Sequence, residues 1–146
     1  PQTLLFTATV TDDVRNFPLL DSSRLFTYTS NEEHGTADTV DQRYLFIPSR
    51  VKDCYLYHVL SVVLPEQSVI VFVGKCVTAE LLCQTLRLLG VKGGVVALHS
   101  QQPQRQRTAS LGSFRNGAAR ILIATDVASR GLDIPSVHTV INYDLP

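Results

Sequence analysis

The sequence predicts an α/β fold built on a parallel sheet flanked by helices. Five short runs, at 42–47, 68–73, 95–98, 120–124 and 138–142, are rich in β-branched and other apolar residues and alternate with segments of helical periodicity. The runs at 68–73 and 120–124 are almost continuously apolar, as strands covered on both faces require. Polar residues gather just after the run at 120–124, where ligands bind in open parallel sheets. Such alternation describes a βαβ series with right-handed crossovers. With 146 residues, 45% of them hydrophobic, the chain suits one main core.

From the start, TLLFTATV (3–10) is a β-rich run, a short helix is expected from Thr11 or Asp12 through Phe17, and Arg24–Tyr28 is a further strand candidate. Residues 29–41 are polar, acidic and poor in apolar side chains, which reads as a linker. His34 within them reads as a solvated side chain. Gln42–Ile47 is expected to be a strand ended by Pro48. A helix then follows Ser49, with Val51, Tyr55, Val59 and Val62 as its apolar stripe and His58 packed against neighbouring elements.

Ser68–Val73 is a central-strand candidate. Thr78 is expected to cap the next helix, with Leu81, Leu82, Leu86 and Leu89 on its buried face and Gly90 as its left-handed stop. After the strand at 95–98, Pro103 opens a helix carrying Gln104 and Arg107 on one face and Leu111 and Phe114 toward the core. Asn116–Gly117 supplies the turn into the strand at 120–124.

Net charge is zero but unevenly spread. Residues 1–66 carry five Lys/Arg against nine Asp/Glu, residues 67–125 seven against one, and residues 126–146 one against three. A basic middle between acidic flanks is compatible with a local phosphate-binding face. Cys54, Cys76 and Cys83 have no metal-ligand spacing and leave an odd count for disulfides. Cys76 and Cys83, seven apart, read as buried thiols. No signal peptide or membrane-length apolar run is visible, so the chain reads as intracellular and soluble, with no membrane partner.

The stretch from Ala119 to Pro146 concentrates the chemistry. Between two apolar runs lie Thr125, Asp126, Ser129, Arg130, Gly131 and Asp133. The segment ATDVASRGLDIP (124–135), followed by VINYDLP, closely resembles motif V and its downstream strand in the DEAD-box ATP-dependent RNA helicases. Thr7-Ala8-Thr9 is similar to motif III of that family, SVIVFV (68–73) resembles motif IV, and Gln104 and Arg107 form the family's Q-x-x-R pair. The segment 41–56 resembles most closely a subgroup associated with small-ribosomal-subunit assembly.

The resemblance implies a RecA-like parallel sheet, the second helicase domain, over residues 42–146. It further implies the tail of the first domain at 1–28 and an interdomain linker at 29–41. It assigns Gly131 and Asp133 to the ATP ribose. Gln104, Arg107, Thr125 and Lys75 fall to the RNA backbone, and Thr7, Thr9 and Arg130 to coupling between domains. Lys75 offers a point charge where many members place a threonine, and His99–Ser100 stands where many have His-Gly. Asp126 is expected to order its turn.

The complete enzyme would use ATP and Mg²⁺, bind RNA and pre-ribosomal proteins, and work in the nucleus and nucleolus. The chain contains neither a GxxxxGK[ST] phosphate loop nor an Asp-Glu-Ala-Asp stretch nor the family's His-Arg-x-Gly-Arg-x-x-Arg motif. No catalytic residue is therefore assigned here, metal ligands are not expected in this chain, and alone it should be inactive. The alternatives are an RNA-binding helicase-like module without ATPase activity and an unrelated flavodoxin-like or receiver domain, the latter disfavoured because no acidic pair follows an early strand.

Overall fold

The computed structural model describes residues 4–6, 26, 28, 40–126, 134 and 137–145. By its internal contacts the chain divides into two units, residues 1–44 and 45–146. In the first, Leu4, Leu5 and Phe6 are exposed and form no strand, and Phe26 and Tyr28 are likewise exposed and outside any strand. The rest of the run at 3–10, the expected helix at 11–17 and the linker up to residue 39 lie outside the described residues.

The second unit is a four-stranded parallel sheet: β1 (Val69–Val73), β2 (Val95–Leu98), β3 (Ile121–Thr125) and β4 (Thr139–Asn142), in the order β2-β3-β1-β4. In register, Val69 lies beside Ile121 and Thr139, and Val95 beside Ile121. Four of the five expected strands therefore form within a residue of their expected ends. The fifth does not: residues 42–47 form no strand, and Tyr44 and Phe46 stand exposed. A ladder requires a neighbouring backbone, and none of the four strands pairs with this run.

Helix α1 (Lys52–His58) follows a 3₁₀ turn at Ser49–Val51 and continues as a π-helical turn, Val59–Val63. Its buried residues are Leu56 and Leu60, not the expected stripe. Tyr55 and Val62 are exposed, Val51 and Val59 only half-buried. His58 is also exposed rather than packed. The face is rotated by one residue, because two leucines four apart bury more apolar surface than the valines beside them.

Helix α2 (Cys76–Leu88) buries Ala79, Leu82, Cys83 and Leu86. Leu81 and Leu89, expected inside, are exposed. The true stripe has helical spacing but uses an alanine and a cysteine, small enough for α2 to lie close on the sheet. Lys75, not Thr78, occupies the N-cap position. Gly90, at φ +69°, ends the helix as expected. Its N–H donates to Arg87 and that of Val91 to Leu86, a paired C-terminal closure.

Helix α3 (Gln104–Arg115) begins after Pro103, buries Phe114 and leaves Leu111 half-buried. Gly117, at φ +73°, makes the turn toward β3. The two faces of the sheet carry separate cores. Val69, Val71, Ile121 and Ile123 pack with α1 and α2, and Ile70, Leu98, Leu122 and Ala124 with Phe114 of α3. Among the described residues, no helix is long and apolar enough to cross a membrane.

Candidate nucleic-acid interface

Parallel strands bring their following loops to one side, and here that carboxyl edge gathers four of the nine expected site residues. Lys75 follows β1, Gln104 and Arg107 follow β2 on α3, and Thr125 ends β3 beside Val73. Lys75 and Gln104 are exposed, Arg107 half-buried and Thr125 buried. Arg107 Nη1 donates to Gln104 Oε1 at 3.1 Å, so the Q-x-x-R pair is joined one helical turn apart. Gly131, Asp133, Arg130, Thr7 and Thr9 lie outside the described residues.

Unsatisfied polar atoms concentrate at the same edge. Five buried side-chain atoms have no hydrogen-bond partner among the described residues: Ser61 Oγ, both ring nitrogens of His99, Arg107 Nε and Thr125 Oγ1. All but Ser61 follow β2 or end β3. A buried donor without an acceptor costs about 1–3 kcal/mol. Arg107 Nε is a donor only, and the Thr125 hydroxyl can donate. Both therefore suit an oxyanion.

A neighbouring cleft of about 470 Å³ is lined by Ser49, Lys52, Gly74, Lys75, Thr78, Tyr143 and Asp144. Lys52 Nζ donates to Asp144 Oδ1 at 2.9 Å and sits 3.9 Å from the Tyr143 ring centroid. The Gly74 N–H donates to Asp144 Oδ2 at 2.9 Å. Burial alone would raise the Asp144 pKa. The Gly74 N–H, the Lys52 ammonium and Lys75 outweigh burial and hold it below the usual value. Tyr143 donates to Asp53, and burial followed by that bond raises its phenol. Sequence reasoning missed this clamp. Its only signal was that Tyr143 and Asp144 fall inside VINYDLP.

The basic middle is not one face. Lys75 and Arg107 lie at the carboxyl edge, whereas Lys92, Arg115 and Arg120 line a second cleft at the amino edge with Glu66 and His138. Arg87 Nε donates to the Val95 carbonyl at 2.8 Å. Of the thiols, Cys83 is buried, and burial raises its pKa; Cys76 is half-buried and Cys54 exposed. No group of three or more His, Cys, Asp or Glu placed for a metal occurs among the described residues.

Residues 52–146 match the helicase conserved C-terminal domain. The chain belongs to that family. Over 152 residues it is 52% identical to the ATP-dependent RNA helicase DBP8 of Vanderwaltozyma polyspora, an alignment covering 99% of the chain and 35% of the relative. It is 45% identical over 148 residues to the probable ATP-dependent RNA helicase DDX49 of Homo sapiens, covering 99% and 30%. The chain thus spans about a third of the length of these curated relatives.

Among solved structures, Saccharomyces cerevisiae Dbp5 bound to RNA and ADP BeF3 matches with a TM-score of 0.59 at 36% identity, over 65% of this chain and 24% of that one. The C-terminal domain of the DEAD-box protein Dbp5 matches with a TM-score of 0.59 at 35% identity, over 67% and 53%. The DEAD-box resemblance and the RecA-like sheet are both borne out.

Proposed function

We propose that this chain supplies the second RecA-like domain of an ATP-dependent RNA helicase and grips the RNA backbone along the carboxyl edge of its sheet. The observation that carries the reading is a pair of buried side-chain atoms at that edge, Arg107 Nε and Thr125 Oγ1, that have no hydrogen-bond partner among the described residues. A backbone reader needs cations and hydroxyls aimed at phosphate oxygens more than contacts to base edges. Arg107 supplies a planar fork, Gln104 holds it, Lys75 adds a point charge and Thr125 a hydroxyl.

In the complete protein ATP would bind between two such domains, with Gly131 and Asp133 at the ribose, and Thr7, Thr9 and Arg130 would couple its state to domain closure. Residues 1–28 would end the first domain and 29–41 would link the two. The triphosphate and its Mg²⁺ would be held by groups outside this chain, so this piece alone turns over no ATP. The more specific form of the proposal places the work on ribosomal precursor RNA in the nucleolus, among pre-ribosomal proteins. It is supported by the resemblance of residues 41–56 to that subgroup.

A phosphate-release assay with RNA tests the division of labour. The 146-residue chain should stay at the no-protein blank, while the complete protein shows RNA-stimulated release. Steady turnover by the chain alone would overturn it, and a complete protein without turnover would favour an RNA-binding module without ATPase activity.

A further inference from the structure

Asp144 has so far served only as half of an ion pair. It follows β4, which lies at one edge of the sheet beside β1, and its carboxylate joins two other elements. Oδ1 accepts from Lys52 Nζ of α1 at 2.9 Å, and Oδ2 accepts the Gly74 N–H at 2.9 Å. The backbone sets this reach. The N–H groups of Tyr143 and Asp144 both donate to the Phe72 carbonyl, at 2.9 and 3.3 Å, which carries the β1–β4 register past its last paired residues. On the other side, Lys52 Nζ sits 3.9 Å from the Tyr143 ring centroid, and the Tyr143 hydroxyl donates to Asp53 of the same helix.

The turn that Asp144 grips is short. Gly74 and Lys75 alone separate the end of β1 from α2. Lys75 is extended, at φ −130° and ψ 143°, in the N-cap position, and its carbonyl accepts the Ala79 N–H at 3.1 Å. Glycine has more backbone freedom than any other residue. A Cβ at Gly74 would meet only Asp144, at 3.7 Å, so crowding does not fix the turn. Among the described residues, the Asp144 bond is the one side-chain hydrogen bond that holds it. Lys75 itself is exposed and makes no ion pair among the described residues.

The geometry points to Asp144 as a positioning residue that fixes the β1–α2 turn so that Lys75 meets an RNA phosphate. The inference rests on the RNA reading above. A lysine is a point charge on a flexible stem, so its reach is set by where its backbone stands. A turn already held in the bound shape gives up less freedom when RNA arrives. Lys52 completes the device. It neutralises a carboxylate that would otherwise draw the Lys75 ammonium away from a phosphate.

Asp144→Ala and Asp144→Asn separate position from charge. Both remove the same negative charge, but the asparagine carbonyl can still accept the Gly74 N–H. In the complete protein, fluorescence anisotropy with labelled oligouridylate should find the alanine variant about fivefold weaker than the asparagine variant, the low end of ordinary coupling between sites. Its salt slope should also be shallower by up to about 0.7, one single-strand phosphate contact. In a Lys75→Ala background the two substitutions should become equal. Because Asp144→Ala can fail to fold, a second measurement uses the unaltered protein. By linkage, oligouridylate should slow amide hydrogen exchange at Gly74. Equal binding by the two variants, a difference that survives Lys75→Ala, or unslowed exchange at Gly74 each overturns the assignment. Absence of RNA binding by the unaltered protein sinks the RNA reading itself. Binding that is indifferent to alanine or asparagine leaves that reading standing and removes only the role of Asp144.

Discussion

At the scale of single residues, Arg120 does most to close the amino edge of the sheet. Its side chain donates to four carbonyls: Leu60 at 3.0 Å, Leu64 at 2.6 Å, Gln67 at 3.1 Å and Lys92 at 3.1 Å. It thereby ties the π-helical turn after α1 to the segment that follows α2. Burial lowers its pKa, yet arginine keeps its charge in proteins. Hydrogen bonds from a charged donor contribute about 1.5–3 kcal/mol each, although bonds sharing one side chain do not add fully. Arg120→Ala should therefore cost at least about 2 kcal/mol, read as a lower urea midpoint. An unchanged midpoint would show that water replaces the guanidinium without loss.

Asp144 gives a pH signature at the opposite edge. Its pKa is lower in the folded chain than in the unfolded one, so its contribution is present above the ordinary aspartate range. It is lost as pH falls through the folded value. Asp144→Asn should lower the melting temperature at neutral pH, and the gap to the unaltered chain should shrink on acidification below about pH 4, the usual aspartate value. A gap that widened with acid would reverse the sign and refute the clamp.

At the scale of elements, the sequence was legible where apolar character and period coincide. The β-branched strands β1 and β3 are each unmistakable from composition, and the Gly90 stop from its position after an apolar helix. Gly90→Ala isolates one such feature. A Cβ there would meet nothing within 4 Å, so only the left-handed backbone opposes it. A loss of about 1 kcal/mol in a urea titration is expected. A neutral substitution would mean that the turn relaxes to another shape.

Helix faces were less legible. Choosing leucines on α2 put Leu81 and Leu89 inside, whereas the structure buries Ala79 and Cys83. Close packing on a sheet rewards small residues that hydropathy alone ranks low. On α1 the valine stripe lost to Leu56 and Leu60, and the π-helical turn shifts the phase beyond His58. The run at 42–47 has strand composition without a pairing strand, a matter of long-range contact that local pattern does not encode.

At the scale of the whole molecule, the order β2-β3-β1-β4 explains why residues far apart in sequence serve one edge. Lys75, Gln104, Arg107 and Thr125 were legible only through the resemblance to the family's motifs, and each follows or ends a strand. The Lys52–Asp144 clamp was not, because its significance lies in burial and in contacts between elements. The basic middle of the sequence, seemingly one face, divides between the two edges because parallel strands carry their two ends to opposite sides.

The most direct test of the backbone grip is the salt dependence of RNA binding by the complete protein and its Arg107→Ala variant. Each phosphate contact to a single strand contributes a slope of about 0.7 in the logarithm of affinity against the logarithm of salt. Arg107→Ala should lower the slope by about that amount and weaken polyuridylate and mixed-sequence RNA alike. A slope unchanged while the melting temperature falls would make Arg107 a support for α3 and contradict the assignment of this edge to RNA.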